Sequence, residues 1–158
     1  MRLSLTEASY TLRGCILASG TFDLLHIGHV RYLQTAKKMA DLPLVVAITS
    51  GEYINRPGRP VFTNDERAEM LEALSCVDAV VIIHERTMMT AIEALKPALY
   101  VKGQETRRDG NADLALEMAA VKRNGGETRF IGITCRYSSG ALLRGDYLSK
   151  HITAKPIE

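Results

Sequence analysis

The sequence has no long apolar run: none approaches the ~20 consecutive residues that a helix needs to cross a bilayer. The stretch from Met1 to Arg13 is polar and interrupted, and it lacks the apolar core of a secretion signal. The sequence also has little excess of either charge: its net charge of +2 is too small for a general nucleic-acid binder. We therefore expect a cytoplasmic protein with no membrane insertion and no nucleic-acid partner.

Cysteine is scarce as well. Cys15, Cys76 and Cys135 are odd in number, far apart and mostly surrounded by apolar residues. This usage argues against a disulfide framework or a cysteine-rich metal site, and it is typical of reduced core thiols in a cytoplasmic protein.

Two common nucleotide fingerprints are missing. The chain contains neither Gly-x-Gly-x-x-Gly nor a Gly-Lys-Ser/Thr phosphate loop, which argues against a nicotinamide dehydrogenase or a P-loop ATPase. The remaining composition, 46% hydrophobic and 24% charged over 158 residues, is that of an ordinary globular protein. We expect a single domain over 1–158, with a short polar lead at 1–12 and a tail from about 150.

What the chain does contain is a distinctive stretch from Gly20 to His29, Gly-Thr-Phe-Asp-Leu-Leu-His-Ile-Gly-His. It follows an apolar run and opens a segment of helical periodicity, so it predicts a strand, a tight turn and a helix start. A helix N-terminus presents free N–H groups and the positive end of its dipole, which suits a phosphate. Gly20 and Gly28 let the backbone approach a ligand, and His26 can donate a hydrogen bond to the same group as His29. Each piece alone could be a plain turn or a surface histidine; their conjunction predicts a phosphate site.

Five apolar runs alternate with segments of helical pattern. The runs are Gly14–Ser19, Leu44–Thr49, Ala79–Ile83, Leu99–Val101 and Thr128–Ile131. The intervening helices are predicted at 29–40, at 64–75 behind a capping box formed by Thr63 and Glu66, at 87–95, and at 111–124. The first of these helices should bury Val30, Leu33, Ala36 and Met39. This alternation predicts an α/β fold, a doubly wound, parallel, five-stranded Rossmann-like sheet.

Cationic side chains follow several of the predicted strands. Arg56 and Arg59 lie on a loop made irregular by two prolines and a glycine, and this loop is either a phosphate-binding segment or a solvated basic surface. Arg67 lies on the buried side of a helix and needs an anion, which is equally an internal carboxylate or a ligand phosphate. Lys102, next to Gly103, follows the carboxyl end of a predicted parallel strand, which is where ligands bind in such sheets.

Two hydroxyl residues open the last predicted helix. Ser138 and Ser139 are either a simple N-cap or part of a phosphate site together with the free N–H groups of the helix.

With these residues in view, the chain resembles the cytidylyltransferase-like nucleotidyltransferase superfamily from about Arg13 to Arg144. Gly-Thr-Phe-Asp with His-x-Gly-His resembles its first signature, and Tyr137-Ser138-Ser139 resembles its Ile-Ser-Ser/Thr-Thr signature. Within the superfamily the chain looks most like the adenylyltransferase domains of ADP-heptose synthases and is similar, less closely, to glycerol-3-phosphate cytidylyltransferases. The stretches that carry the first likeness are Val77-Asp78, Leu99-Tyr100-Val101-Lys102-Gly103 and Asn124-Gly125-Gly126-Glu127.

The resemblance implies attack by a substrate phosphate oxygen on the α-phosphorus of a nucleoside triphosphate (NTP), with release of pyrophosphate. Mg²⁺ is expected to bridge the NTP phosphates without a dedicated protein cage, and a homodimer is expected. The residues implied as catalytic are His26, His29 and Arg67. Those implied to bind the nucleotide are Gly20, Thr21, Phe22, Asp23, Gly28, Arg59, Lys102, Gly103, Tyr137, Ser138 and Ser139. Those implied to bind the phosphorylated substrate are Arg56 and Lys102.

Two positions depart from the pattern. The superfamily usually has Thr or Ser where this chain has Gly140, and heptose enzymes carry an acidic residue soon after Lys-Gly, where this chain has Gln104-Glu105. The resemblance favours ATP with a heptose 1-phosphate. The polar loop from Gln104 to Asn111 offers donors and acceptors for several sugar hydroxyls, which favours a sugar over glycerol 3-phosphate.

Three other classes share part of the pattern. Class I aminoacyl-tRNA synthetases also use His-x-Gly-His, but the chain has no Lys-Met-Ser-Lys-Ser stretch and no anticodon-binding region. Pantetheine-phosphate adenylyltransferases have Thr-x-Gly-His where this chain has His26-Ile27-Gly28-His29. A non-catalytic nucleotide-binding module would keep the glycines but could lose the histidines, and both histidines are present.

Overall fold

The structure is a computed structural model that describes residues 1–107, 110–133 and 138–145. Its centre is a five-stranded sheet in which every pair of neighbours is parallel. The strands run in the order β3-β2-β1-β4-β5. They are β1 (Ile16–Gly20), β2 (Leu44–Thr49), β3 (Ala79–Ile83), β4 (Leu99–Gly103) and β5 (Glu127–Ile131). The predicted doubly wound parallel sheet is confirmed, and β2 and β3 have the predicted bounds.

The helices cover both faces of this sheet. They are α1 (Leu5–Thr11), α2 (Ile27–Lys37), α3 (Asn64–Glu72), α4 (Met89–Leu95), α5 (Ala112–Arg123) and α6 (Ser139–Leu143), with short 3-10 turns at Gly51–Tyr53 and Gln104–Thr106. One core cluster packs α1, α4 and α5 against the sheet, and a second packs α2 and α3 against the other face. The central strands are buried on both sides, which is why they read as continuous apolar runs.

The sheet topology determines where a ligand can sit. The chain winds outward from β1 through β2 to β3 and then crosses to β4 on the other side. Because connections leave β1 and β4 toward opposite faces, a crevice opens at the carboxyl ends of these two strands. The parallel pairing places Ile16 of β1 opposite both Leu44 of β2 and Leu99 of β4. The carboxyl ends of these three strands therefore lie at the same edge of the sheet.

The N-terminal lead is more ordered than the sequence pattern predicted. It contains α1, which opens with a capping box between Ser4 and Glu7 and buries Ala8. Ahead of this helix, the backbone N–H of Leu3 donates to the carbonyl of Val80 at 3.1 Å. The Ser-x-x-Glu spacing was the available signal for this helix.

Helix α2 confirms part of its predicted buried face. It begins two residues earlier than expected; Leu33 and Ala36 are buried as predicted, Tyr32 is buried as well, and Val30 is half-buried. Met39, predicted to be buried, is 42% exposed because the helix has already ended. Tyr32 can be buried because its hydroxyl donates to the carbonyl of Val101 at 2.7 Å.

Some predictions fall on residues that the structure does not describe. Those for Cys135, Tyr137 and the tail from about 150 lie outside the described residues. Within 1–107, 110–133 and 138–145, no helix combines the length and apolar character needed to cross a membrane.

Candidate active site

A cavity of about 1040 Å³ lies at the crevice between β1 and β4. It is walled by the turn after β1, the start of α2, the loop that carries Arg56 and Arg59 (the arginine loop), the end of β4 and the start of α6. It brings together twelve of the fifteen predicted site residues: Gly20, Thr21, Phe22, His26, Gly28, His29, Arg56, Arg59, Lys102, Gly103, Ser138 and Ser139. Asp23 and Arg67 do not line it, and Tyr137 lies outside the described residues.

The two histidines cap the helix that they open. His26 is the N-cap of α2, and its Nδ1 accepts from the backbone N–H of Gly28 at 3.1 Å. His29 reaches back in the same way: its Nδ1 accepts from the backbone N–H of His26 at 3.3 Å. This is a capping box built from imidazoles instead of Ser and Glu, and the two rings stack with centroids 3.9 Å apart.

This geometry fixes where the ring protons lie. Because each Nδ1 accepts a hydrogen bond, the proton of each neutral ring is on Nε2. Burial lowers the pKa of His26. Burial, together with the charges of His26 and Arg59, lowers the pKa of His29 to about 4. At neutral pH both rings are therefore uncharged and carry an Nε2–H donor in the cavity wall.

The turn between β1 and α2 is held by close packing. Phe22 is buried, has a positive φ of 49° and packs edge-on against His29 with centroids 5.2 Å apart. A Cβ at Gly20 would lie 3.0 Å from the Phe22 ring. Glycine at this position therefore allows the phenyl ring to fold back over the end of β1.

Asp23 links this turn to the arginine loop and does not face the cavity. Its side chain is 1% exposed. Its two oxygens accept from the backbone N–H groups of Val61 and Phe62 at 2.9 and 3.0 Å. The guanidinium of Arg59 lies 3.6 Å away. The resemblance implies nucleotide contact for Asp23; its observed contacts instead hold the loop in place.

Arg67 lies fully buried between the ends of β1 and β2. Its guanidinium donates to the carbonyls of Thr21 and Thr49 at 2.8 and 2.9 Å, and to Asn64 Oδ1 at 2.6 Å. The predicted burial is correct. These hydrogen-bond partners are uncharged. Burial lowers the pKa of Arg67 and the charge of Asp23 opposes that shift, so Asp23 is the internal carboxylate that the sequence left open. Arg67 does not line the cavity, and the catalytic role implied for it stays a prediction.

Lys102 ends a buried chain of polar groups. Its Nζ donates to Ser19 Oγ at 3.1 Å, and Ser19 Oγ lies 3.0 Å from the hydroxyl of Tyr100. That hydroxyl donates to Glu117 Oε2 at 2.8 Å. Sequence reasoning missed Glu117, although a signal existed: it lies at helical spacing from Leu114 and Val121, both buried.

The serines of the last helix have internal partners. Ser138 is the N-cap of α6 and accepts from the N–H of Ala141 at 3.2 Å. Ser139 donates to the carbonyl of Leu24 at 2.9 Å, which ties this helix to the histidine turn. The N-cap interpretation of Ser138 is confirmed, and the phosphate role of both residues stays a prediction. Gly140 also lines the cavity, and a Cβ there would lie 3.4 Å from Arg144 Nη1.

The loop after β4 comes close to the cavity. Glu105 and Thr106 of the 3-10 turn line it, as does Asn111, which caps α5. A Cβ at Gly103 would lie 2.1 Å from the Glu105 carboxylate, so only glycine allows that side chain to fold over the end of the strand. Part of the loop, 108–109, is not described.

Positive charge dominates the wall. The cationic lining residues are Arg56, Arg59, Arg86, Lys102 and Arg144, against the acidic residues Glu105 and Glu117. Such a cavity favours polyanionic ligands. Across the described ranges, no group of three or more His, Cys, Asp or Glu side chains is placed to hold a metal ion.

Comparison with known families agrees with this geometry. The family model described as Cytidylyltransferase-like matches residues 17–145. The chain belongs to the cytidylyltransferase-like family. This match covers all of the sheet except Ile16 and every described element of the cavity, and it confirms the predicted superfamily and a nucleotidyltransferase type of enzyme.

Individual relatives of this cytidylyltransferase-like chain agree on the same region. It is 45% identical over 98 residues to the bifunctional protein HldE of Geobacter sulfurreducens, which is 60% of this chain and 20% of that protein. It is 38% identical over 131 residues to the protein of the same name from Helicobacter pylori strain J99, 81% of this chain and 26% of that protein. The chain thus spans only about a fifth to a quarter of the length of these relatives.

Solved structures show the likeness over most of this chain. A lipopolysaccharide core biosynthesis protein from Thermoplasma volcanium is similar with a TM-score of 0.60 and 29% identity, over 80% of this chain and 98% of that one. Pantothenate synthetase from Thermus thermophilus is similar with a TM-score of 0.59 but only 15% identity, over 90% of this chain and 67% of that one. The second likeness shows the shared fold alone.

Proposed function

We propose that this cytidylyltransferase-like chain transfers a nucleoside monophosphate from an NTP to a phosphorylated small molecule. An oxygen of the acceptor phosphate attacks the α-phosphorus, the bond from that phosphorus to the bridging oxygen breaks, and pyrophosphate leaves. The observation that carries this proposal is the stacked His26–His29 pair, which presents two neutral Nε2–H donors in a cavity whose charged lining residues are mostly cations.

Each wall of the cavity then has a task in this reaction. Neutral imidazoles donate hydrogen bonds to non-bridging oxygens of the α-phosphate, where negative charge grows in the transition state. Arg56, Arg59 and Lys102 hold the two anionic substrates next to each other and offset their repulsion. Ser138 and Ser139 contact the leaving pyrophosphate. Little covalent chemistry is needed, because the protein supplies alignment and electrostatic stabilisation.

The substrate pair that we propose is ATP with a sugar 1-phosphate, most specifically a heptose 1-phosphate, which gives an ADP-sugar. The resemblance to ADP-heptose synthases supports it, as do the similarity to proteins named HldE and to a lipopolysaccharide core biosynthesis protein. Glu105, Thr106 and Asn111 line the cavity beyond Lys102, and these polar groups suit an acceptor with several hydroxyls. The alternative pair is CTP with glycerol 3-phosphate.

Three further expectations belong to the same proposal. Mg²⁺ enters as part of the Mg–NTP substrate, where it bridges the NTP phosphates. A homodimer and a cytoplasmic location stay predictions. Exposed apolar side chains such as Tyr53 and Val61 are candidates for a subunit contact, and light scattering on the purified chain tests it.

A pyrophosphate-release assay tests the proposal. Each of ATP, CTP, GTP and UTP is mixed with Mg²⁺ and with heptose 1-phosphate, glucose 1-phosphate or glycerol 3-phosphate. We expect turnover with ATP and heptose 1-phosphate. Turnover only with CTP and glycerol 3-phosphate would transfer the assignment to the alternative pair. NTP binding without pyrophosphate release from any pair would favour a non-catalytic nucleotide-binding module.

A further inference from the structure

The polar chain behind Lys102 has a defined direction. The Glu117 carboxylate accepts on both oxygens, from the backbone N–H of Met88 at 2.8 Å and from the Tyr100 hydroxyl at 2.8 Å. Tyr100 has one proton, which it gives to Glu117, so its contact with Ser19 must be accepted from the Ser19 hydroxyl. Ser19 in turn accepts from Lys102 Nζ. Each hydrogen bond between these side chains therefore donates in the same direction, from Lys102 through Ser19 and Tyr100 to Glu117.

This series of hydrogen-bonded side chains is also well buried. The Glu117 and Lys102 side chains are 7% and 15% exposed, and their charged atoms lie 3.9 Å apart. A buried carboxylate is costly unless it is hydrogen-bonded and paired, and Glu117 meets both conditions. The Lys102 ammonium donates one N–H to Ser19, and its other two N–H groups can donate to groups in the cavity.

We propose that Glu117 is a positioning residue: acting through Tyr100 and Ser19, it holds the Lys102 ammonium charged at the floor of the cavity, where Lys102 binds a substrate phosphate. The choice of a phosphate as ligand rests on the proposed function. The proposal that Glu117 positions Lys102 does not rest on that function, because it follows from the contacts of four side chains that reach the site from β1, β4 and α5.

The charges around Lys102 make the arrangement testable. Burial lowers the pKa of Lys102, and the carboxylates of Glu117 and Glu105 oppose that shift. Burial also raises the pKa of Tyr100 and that of Tyr32, so both phenols are neutral near the lysine and add no charge at working pH. Without Glu117, only Glu105 would counter burial, and Lys102 would lose its proton at a lower pH.

The first experiment reads Lys102 directly and needs no substrate. Competitive labelling with acetic anhydride, followed across pH by mass spectrometry of the Lys102 peptide, measures the pKa of its amine. We expect Glu117→Gln to move the labelling midpoint to lower pH by about one unit, which corresponds to a tenfold change in the protonation equilibrium. Glu93→Gln, which removes an exposed carboxylate on α4, is the matched control and should leave the midpoint unchanged. An unchanged midpoint in Glu117→Gln would overturn the proposal.

The second experiment separates charge from position. Tyr100→Phe breaks the chain but keeps the Glu117 carboxylate, so the KM for the phosphorylated acceptor should rise about tenfold with a smaller shift of the labelling midpoint. Glu117→Asp, which keeps the charge, should restore the midpoint toward wild type. Melting curves of all variants check folding, and Tyr100→Phe supplies the test if Glu117→Gln does not fold. Wild-type KM in Tyr100→Phe would also overturn the proposal. If no acceptor turns over, the proposed function fails while the labelling result still decides the role of Glu117.

Discussion

At the scale of single residues, each histidine uses its two ring nitrogens for different purposes. The Nδ1 atoms of His26 and His29 satisfy backbone N–H groups of the first turn of α2, and the Nε2 atoms remain for ligand. A histidine in this turn is therefore both a cap and a donor. Variants that remove the whole ring confuse the two roles, whereas a side chain with an acceptor near the Nδ1 position separates them.

His26→Asn and His26→Ala make that separation. Asparagine is a good N-cap, so His26→Asn should keep the melting temperature near that of wild type, while His26→Ala should lose about 1 kcal/mol of unfolding free energy. Both variants lack the Nε2–H donor, so both should lower kcat by about a hundredfold or more with little change in NTP affinity. Denaturant titration and pyrophosphate release measure the two effects. A kcat for His26→Asn within threefold of wild type would return His26 to a purely structural role.

The lowered pKa of His29 gives a second prediction, on stability against pH. The pKa is about 4 in the folded protein and 6.5 in the unfolded chain. Between these values the unfolded state binds a proton that the native state does not, so the unfolding free energy falls as pH drops from about 6.5 to about 4. This contribution is fully present above the unfolded value. His29→Gln keeps a side chain suited to the capping box but does not titrate.

We therefore expect a shallower loss of stability in His29→Gln over that pH window. Urea titrations at half-unit pH steps measure the unfolding free energy of both proteins. Subtracting one curve from the other cancels the contribution of the other groups that titrate in acid. Parallel curves for the two proteins would show that His29 titrates normally in the folded state.

At the scale of elements, Arg67 joins three pieces of the fold. Its guanidinium donates hydrogen bonds to the backbone carbonyl of Thr21, just after β1, and to that of Thr49, at the end of β2. It also donates to the side-chain oxygen of Asn64 at the start of α3. A methionine at this position would fill much of the volume but remove the donor to the Thr21 and Thr49 carbonyls, whereas Asn64 Oδ1 would still accept from the backbone N–H of Gly51 at 2.8 Å.

We expect Arg67→Met to lower the unfolding free energy by roughly 3 kcal/mol or more, since each unsatisfied buried group costs about 1–3 kcal/mol. Arg56→Ala is the matched control: Arg56 is exposed, so its loss should raise the KM for a phosphorylated substrate and leave stability within about 0.5 kcal/mol of wild type. Chemical denaturation and steady-state kinetics on both variants test this. Wild-type stability in Arg67→Met would contradict the structural role.

The arginine loop is a second case at this scale. Asp23→Asn removes the charge that faces Arg59 and one of the two acceptors for the loop backbone. The KM for NTP should rise about tenfold, as in Arg59→Ala, because a charge-assisted contact is worth roughly 1.5–3 kcal/mol. The double variant should be little worse than either single one, because both changes release the same guanidinium. Full additivity would show that Asp23 and Arg59 act independently.

At the scale of the whole molecule, the sequence predicted those parts that local pattern determines. Continuous apolar runs gave the strands, and the Thr63–Glu66 capping box gave the start of α3. The roles of Asp23 and Glu117 could not be predicted, because their partners lie far along the chain: 38 residues from Asp23 to Val61, and 17 from Tyr100 to Glu117. Only the folded topology brings such groups together.

Ligand binding should be visible in the stability of the entire domain. A ligand at a hundred times its Kd adds about 2.7 kcal/mol to the unfolding free energy, which for a chain of this size raises Tm by roughly 5–10 °C. We expect Mg–ATP to give such a shift and Mg–CTP a smaller one at equal concentration. Arg59→Ala should reduce the shift at a fixed ATP concentration. A larger shift with CTP would favour the cytidylyl alternative.

The Asp23 carboxylate has a consequence for how two substrates would be held. One side chain connects the turn that leads into the histidine helix to the backbone at Val61 and Phe62, beside Arg59. The turn that carries the histidines and Arg59 are therefore linked through one carboxylate. A first anion that orders one of them lowers the entropy cost of ordering the other, so the second anion binds more tightly. The two substrates of this chain should show positive cooperativity, each lowering the dissociation constant of the other by the same factor.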